Sequence, residues 1–256
     1  MAEYNTIRAG AGVQSAEIDA GLRAHMNKVY STMSVGMLIT AAASWAISGL
    51  TMTATQTAYQ VGADRYLTDF GYALYASPLK WVVMFLPLAM IFLFGGIINR
   101  ISAAGAQLFF YTFAAAMGVS ISWIFLVFTS FSIVQIFLIT AVAFASLSLY
   151  GYVTKRDLSA MGTFLMMGAV GLFVAMVVNM FLQSPAIMFA ISILGVLIFA
   201  GLTAYDTQKI KTTYLAHAQG GDTEWLGKAA IMGALNLYLD FINMFMFLLQ
   251  LFGNRE

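Results

Sequence analysis

The chain has 256 residues, 61 % of them hydrophobic and only 9 % charged, where an ordinary soluble domain is about 25 % charged. A net charge near +1 leaves no basic surface of the kind a nucleic acid requires. With no cysteine present, disulfides and thiolate metal sites are excluded, and the composition reads as an all-α, multi-pass integral membrane protein.

Residues 1–28 are polar and carry no cleavable signal pattern, so they read as a cytoplasmic N-terminal tail. Residues 29–256 read as one transmembrane domain. A bilayer core takes about 20 consecutive apolar residues in a helix, and seven stretches meet that length: 29–52, 79–98, 106–128, 132–152, 162–182, 186–205 and 229–252. The first, which begins at Val29, is expected to be an uncleaved span, and its Gly36 and Ala41 to Ala43 suit close helix packing in lipid. Segment 53–78 then forms the longest exterior connection. Its Tyr59, Tyr66, Phe70, Tyr72 and Tyr75, with Trp81 beyond, are expected at the membrane interface, with a binding surface as the alternative.

The second span contains Pro87, which is expected to kink it, and closes at Arg100. Gly118, Ser120 and Ser122 in the third span, Gly168 and Gly171 in the fifth and Gly195 and Gly201 in the sixth again read as packing positions. Only Thr129 to Phe131 separates the third span from the fourth. After Gln183 and Ser184, Pro185 can open the sixth helix, because its missing N–H costs nothing at a helix start. A charged inward loop, 206–228, is expected before the last span.

That last span holds the most informative residue. Asp240 lies in the middle of the apolar stretch Ala229 to Phe252, and an ionisable group at the bilayer centre is costly enough to be read as functional. Gly233, Asn236, Asp240, Asn243 and Gln250 fall three, four or seven apart and share one helix face. The stripe is expected to face the protein interior, with Leu, Ile, Met and Phe on the other faces turned to lipid.

Charge sets the orientation. With the N-terminus inside, Arg8, Arg23, Lys28, Arg100, Lys155, Arg156, Lys209, Lys211 and Lys228 are cytoplasmic, and of the twelve Lys and Arg only Arg65, Lys80 and Arg255 fall outside. The positive-inside rule then requires an odd number of spans.

Several chemistries lack their residues. His25 and His217, the only histidines, lie in the tail and in a loop, so a histidine metal site has no second ligand nearby. Span seven has no lysine for a retinal Schiff base, and no Walker-type phosphate loop is present. Intramembrane aspartyl proteases pair a Tyr-Asp with a Gly-x-Gly-Asp. Tyr205–Asp206 fits the first, but Leu237–Tyr238–Leu239–Asp240 does not fit the second, and their later Pro-Ala-Leu segment has no place in seven spans. No catalytic residue is expected.

Three stretches carry a family resemblance: Ser148–Leu149–Tyr150–Gly151–Tyr152–Val153–Thr154–Lys155–Arg156–Asp157–Leu158–Ser159, then Ile198–Phe199–Ala200–Gly201–Leu202–Thr203–Ala204–Tyr205–Asp206–Thr207–Gln208–Lys209–Ile210, then Leu237–Tyr238–Leu239–Asp240–Phe241–Ile242–Asn243. In this order they resemble the bacterial branch of the Bax inhibitor-1, or transmembrane Bax inhibitor motif, family. Ser77 to Val82 and Gly118 to Ser122 are similar as well, and residues 1–28 lie outside the match. The resemblance implies a seven-helix bundle with a central seventh helix, in a bacterial inner membrane, acting as a pH-controlled calcium leak. Calcium and protons are the implied partners besides the bilayer, with no cofactor.

In that family two aspartates on the last spans share a proton and close a pore, which maps onto Asp206 and Asp240, with Arg100 as the basic residue that competes for Asp206. The two carboxylates, with Asn236, Asn243 and water, would form a weak calcium site. Some bacterial relatives are implicated in modulating an ATP-dependent membrane protease, so a non-transporting regulator that contacts such a partner through the tail is the alternative. From hydropathy alone, Asp206 lies about 30 Å along its helix from Pro185, at the boundary, and Asp240 about 18 Å into its own beyond Lys228. Contact between them needs helix seven to begin well outside the bilayer, or helix six to sit deeper and tilted.

Overall fold

The computed structural model describes residues 2–62, 65–220 and 222–255, with side chains from Glu17 onward apart from Gln219. Helix α1 (Ala2–Thr51) crosses residue 28 without a break. Leu22, Met26, Val29, Met33 and Met37 are all buried and recur every three or four residues, the spacing of one helix face. The buried stripe thus starts seven residues before the apolar run, where hydropathy is masked by polar neighbours on the other faces. The first part of the tail, through which a protease partner was expected to bind, lies outside the described side chains.

Segment 53–78 folds further than expected. Strands β1 (Met52–Thr53), β2 (Gln60–Gly62) and β3 (Arg65–Leu67) form an antiparallel sheet in the order β1-β3-β2, and helix α2 (Asp69–Tyr75) follows, its first turn capped by the Thr68 hydroxyl, which accepts from Gly71 N–H at 3.0 Å. Some of the aromatics serve this small layer: Tyr59 stacks on Tyr72 at 4.1 Å, and Tyr66 is buried. Phe70 and Trp81 remain exposed, as interface residues do.

Helix α3 (Leu79–Ile97) runs through Pro87. Helix α4 (Ala103–Ile121), capped by Ser102, is followed after a break at Ser122 and Trp123 by the single turn α5 (Ile124–Val127). The buried Ser122 hydroxyl bonds the Val119 carbonyl at 2.6 Å and the Tyr75 hydroxyl at 2.7 Å, which supports the break. Helices α6 (Ser130–Val153) and α7 (Ser159–Leu182) come next. A corner with Gln183 at φ 50° then leads into α8 (Pro185–His217), where Ser184 is the cap and Pro185 the first helical residue. Helix α9 (Thr223–Phe252), capped by Asp222, completes the seven helices, counting α4 and α5 together, that among the described residues are long and apolar enough to cross a membrane.

Helix α9 is the axis of the bundle. In its most apolar window 67 % of residues are buried inside the protein, against 33 % at most in any other span. Leu237, Tyr238, Met244 and Leu249 are all under 2 % exposed. Its apolar faces therefore meet α1, α4, α6 and α8 rather than lipid, correcting the expectation drawn from its amphipathic pattern. Lipid-facing bulk comes from the outer helices, through residues such as Phe92, Val142, Phe164 and Phe181. Small residues let backbones approach closely: a Cβ on Gly118 would stand 2.5 Å from the Thr40 carbonyl oxygen, and one on Gly151 would collide with the Ala204 carbonyl. Gly171, expected to pack, has nothing within 4 Å of that position.

The expected loop 206–228 is mostly helix. Helix α8 continues to His217, and a short turn joins it to α9. Hydropathy marks where lipid ends, not where a helix ends. His25 packs against Tyr214 at one pole, the rings tilted with centroids 4.9 Å apart, and Arg255 pairs with Phe128 at the other.

Candidate functional site

Helices α8 and α9 run antiparallel, and their seam holds the two aspartates. Ile210 packs on Gly233, where a Cβ would stand 2.9 Å from its side chain. One turn deeper, the side chains of Asp206 and Asp240 are joined by a hydrogen bond, with only 9 % and 4 % of their surfaces exposed. The depth mismatch vanishes because both helices overhang: α8 runs about 17 Å past Asp206, and α9 begins about 26 Å before Asp240. An ionised carboxylate only accepts hydrogen bonds. A hydrogen bond between two carboxyls needs a proton on one of them, and ionising both so close together in a buried site is costly. Asp240 Oδ2 is buried, and no group outside the pair hydrogen-bonds to it among the described residues.

The three motif stretches converge on this seam. Thr207 and Ser148 share a hydrogen bond of 2.9 Å between α8 and α6, and Tyr30 of α1 extends it to Ser148. Gln208 accepts from Leu158 N–H at 2.9 Å and donates to the Arg156 carbonyl at 2.7 Å. Lys211 donates to the Tyr152 carbonyl at 2.8 Å and lies over its ring. These bonds clamp the α6–α7 turn to α8. Within that turn, Asp157 accepts from Ser159, which holds its carboxyl below the usual carboxylate range. On the far side of α9, Tyr238 shares a 2.6 Å hydrogen bond with Thr40 and meets Phe110 and Phe113 edge-on.

Beyond Ile210 and Gly233 a cavity of about 320 Å³ opens at the pole that carries most of the lysines. His25, Asn99, Lys209, Trp225, Lys228 and Asn236 line it. Neither aspartate lines it. Lys209, three residues after Asp206, sets its charge beside that carboxyl. His25, expected in a polar tail, is buried on α1, and His217, expected in a loop, lies at the end of α8 and stacks on Trp225 at 4.0 Å.

The other candidate residues separate. Asn236 lines the cavity, whereas Asn243, one turn past Asp240, is half-buried with its amide donating to the Leu239 carbonyl at 2.8 Å. Arg100 lies in the turn between α3 and α4, exposed, and does not pair with Asp206 among the described residues. The sequence reading missed Gln208, Lys209 and Phe247. Phe247 was nonetheless marked by spacing: it falls four residues after Asn243 and three before Gln250, inside the polar stripe.

A family model described as "Inhibitor of apoptosis-promoting Bax1" matches residues 22–256. An uncharacterised protein of Caulobacter vibrioides is 41 % identical over 240 residues, covering 93 % of this chain and 92 % of its own length. The inner membrane protein YbhL of Escherichia coli K12 is 38 % identical over 241 residues, covering 93 % and 94 %. The uncharacterised protein YrjE of Lactococcus lactis is also 38 % identical, covering 91 % and 92 %. The family match begins at Leu22, where the buried stripe of α1 begins.

Proposed function

Because the chain belongs to the Bax inhibitor-1 family, we propose that it is a pH-sensitive calcium leak of a bacterial inner membrane, closed by the Asp206–Asp240 pair. What supports the reading is that pair itself: two buried carboxyls, one from each of the last two helices, joined by a hydrogen bond that requires a proton. Its membrane is taken from the relative named an inner membrane protein.

In the closed state the pair holds a proton that the open state releases. Linkage then fixes the sign: closure is fully stabilised while that proton is bound and is lost as pH rises through the pair's upper titration step. Freed of its partner, the Asp206 carboxylate attracts a cation, and Arg100, in the turn at the same pole, supplies a second resting position for it. Calcium takes several oxygen ligands. Two carboxylates and water offer a weak set, suited to passage, with Asn236 and Asn243 about one turn to either side of Asp240 along the path.

The function is non-enzymatic. A carboxyl dyad also serves aspartyl proteases, but neither aspartate here lines the adjoining cavity, and Leu237–Tyr238–Leu239–Asp240 lacks their Gly-x-Gly-Asp. The test is calcium entry into liposomes containing the purified protein and a trapped indicator, with the pH stepped. Entry is expected to rise with pH, and entry no faster than in protein-free liposomes at every pH would overturn the proposal.

A further inference from the structure

We propose that Phe247 is a second closure of the same path, an apolar plug between the aspartate pair and the pole that carries Arg255; this rests on the α8–α9 seam being the ion path. Along α9 the stripe Gly233, Asn236, Asp240, Asn243, Phe247, Gln250 is spaced three and four throughout, so all six lie on one helix face. Five are polar or glycine. Phe247 alone is large and apolar.

The opposite wall is shaped to receive it. A Cβ on Gly195 of α8 would collide with the Phe247 ring, so the ring occupies the space that any other residue at 195 would fill. Phe199, one turn along α8 toward Asp206, stacks on it at 6.0 Å, and Leu172 of α7 and Ile191 of α8 complete a small apolar cluster separate from the main core. Phe247 is only 5 % exposed.

Polar groups lie on both sides of this layer. Toward the basic pole come Asn243 and the aspartates. Toward the other, Gln250 lines a cavity of about 380 Å³ together with Asn179, Gln183, Ser184 and Arg255. Apolar constrictions between wet compartments block ions by excluding water. The pair responds to protons, whereas the phenyl ring cannot. Both stand on α9 about 10 Å apart along its axis, so one movement of α9 against α8 displaces the ring from its glycine seat as it separates the carboxyls.

The chain has no cysteine, which permits a test that does not depend on calcium. Asn243→Cys is placed in the wild-type and Phe247→Ala backgrounds and reconstituted in liposomes. A membrane-impermeant trimethylammonium methanethiosulfonate is then added on the Arg255 side at acid pH. Modification is expected to be slow with Phe247 present and about tenfold faster or more with Phe247→Ala; Phe247→Leu, which keeps apolar bulk, should stay near wild type. If Phe247→Ala does not fold, Phe247→Val is expected to lie between the two. Equal modification rates in folded proteins would overturn the plug, whatever the calcium flux. A large labelling difference in protein that carries no calcium at any pH would instead overturn the leak reading and leave the water barrier at Phe247.

Discussion

Replacing Asp240 by Asn keeps the size and hydrogen-bonding capacity of the side chain and removes the shared proton. The size of the effect follows from Coulomb's law for two close carboxylates. Two carboxylate charges about 5 Å apart repel by about 3 kcal/mol at an effective dielectric near 20, a factor of roughly 150 in the closed-to-open ratio. Burial of both side chains leaves little screening by salt. One proton is exchanged, so the ratio changes by at most about tenfold per pH unit. Wild-type flux should therefore rise by up to about two orders of magnitude as pH increases through the titration of the pair. Asp240→Asn and Asp206→Asn should each bring that slope close to zero. The double variant should add little, because members of one coupled site do not act additively. The assay is initial calcium entry into liposomes at a series of pH values, with folding checked by size exclusion. A slope like that of wild type in both folded single variants would refute the shared-proton gate.

Arg100→Ala should lower flux at alkaline pH more than at acid pH, since Arg100 is unpaired with Asp206 in the closed form; an equal loss at every pH in the liposome assay would remove its role in the open state. Gly151→Ala forces a Cβ onto the Ala204 carbonyl and should cost about 1–3 kcal/mol, read as a lower melting temperature in detergent, while Gly171→Ala, with open space around it, should melt like wild type. Single cysteines at Lys155 and Arg255 should be labelled from opposite sides of the membrane; labelling of both from one side would contradict seven spans.

The seven spans and the buried position of Asp240 were visible in the sequence because hydropathy and the cost of a buried charge are local properties. Contact between Asp206 and Asp240 was not, because it depends on helix extending through polar residues. Lys209, Lys211 and Thr212 on α8, and Glu224 and Lys228 on α9, end a hydropathic run without ending a helix. Leu22 and Met26 were hidden for a related reason, each being an apolar residue on one face among polar ones. The central place of α9 came from the family resemblance, whereas its amphipathic pattern pointed to a lipid-facing side. Gln208 gave no signal, since a glutamine that clamps a neighbouring turn looks the same as one facing water. Phe247 was hidden by its own chemistry: a search for polar residues passes over the one aromatic that continues their spacing.

The overhang of α8 and α9 makes the aspartate pair mechanically accessible from outside the bilayer. The two helices project as a stiff fork whose tip is pinned by the His217–Trp225 stack, with the Asp206–Asp240 bond near its crotch. A tilt of about 10° at the tip of an arm about 17 Å long displaces that tip by about 3 Å, and some of that strain is passed to the carboxyls. Whatever grips the fork in the aqueous phase thus has leverage on a bond it never touches. If the pair is the proposed gate, a force applied there and a change in pH act on the same equilibrium from opposite ends.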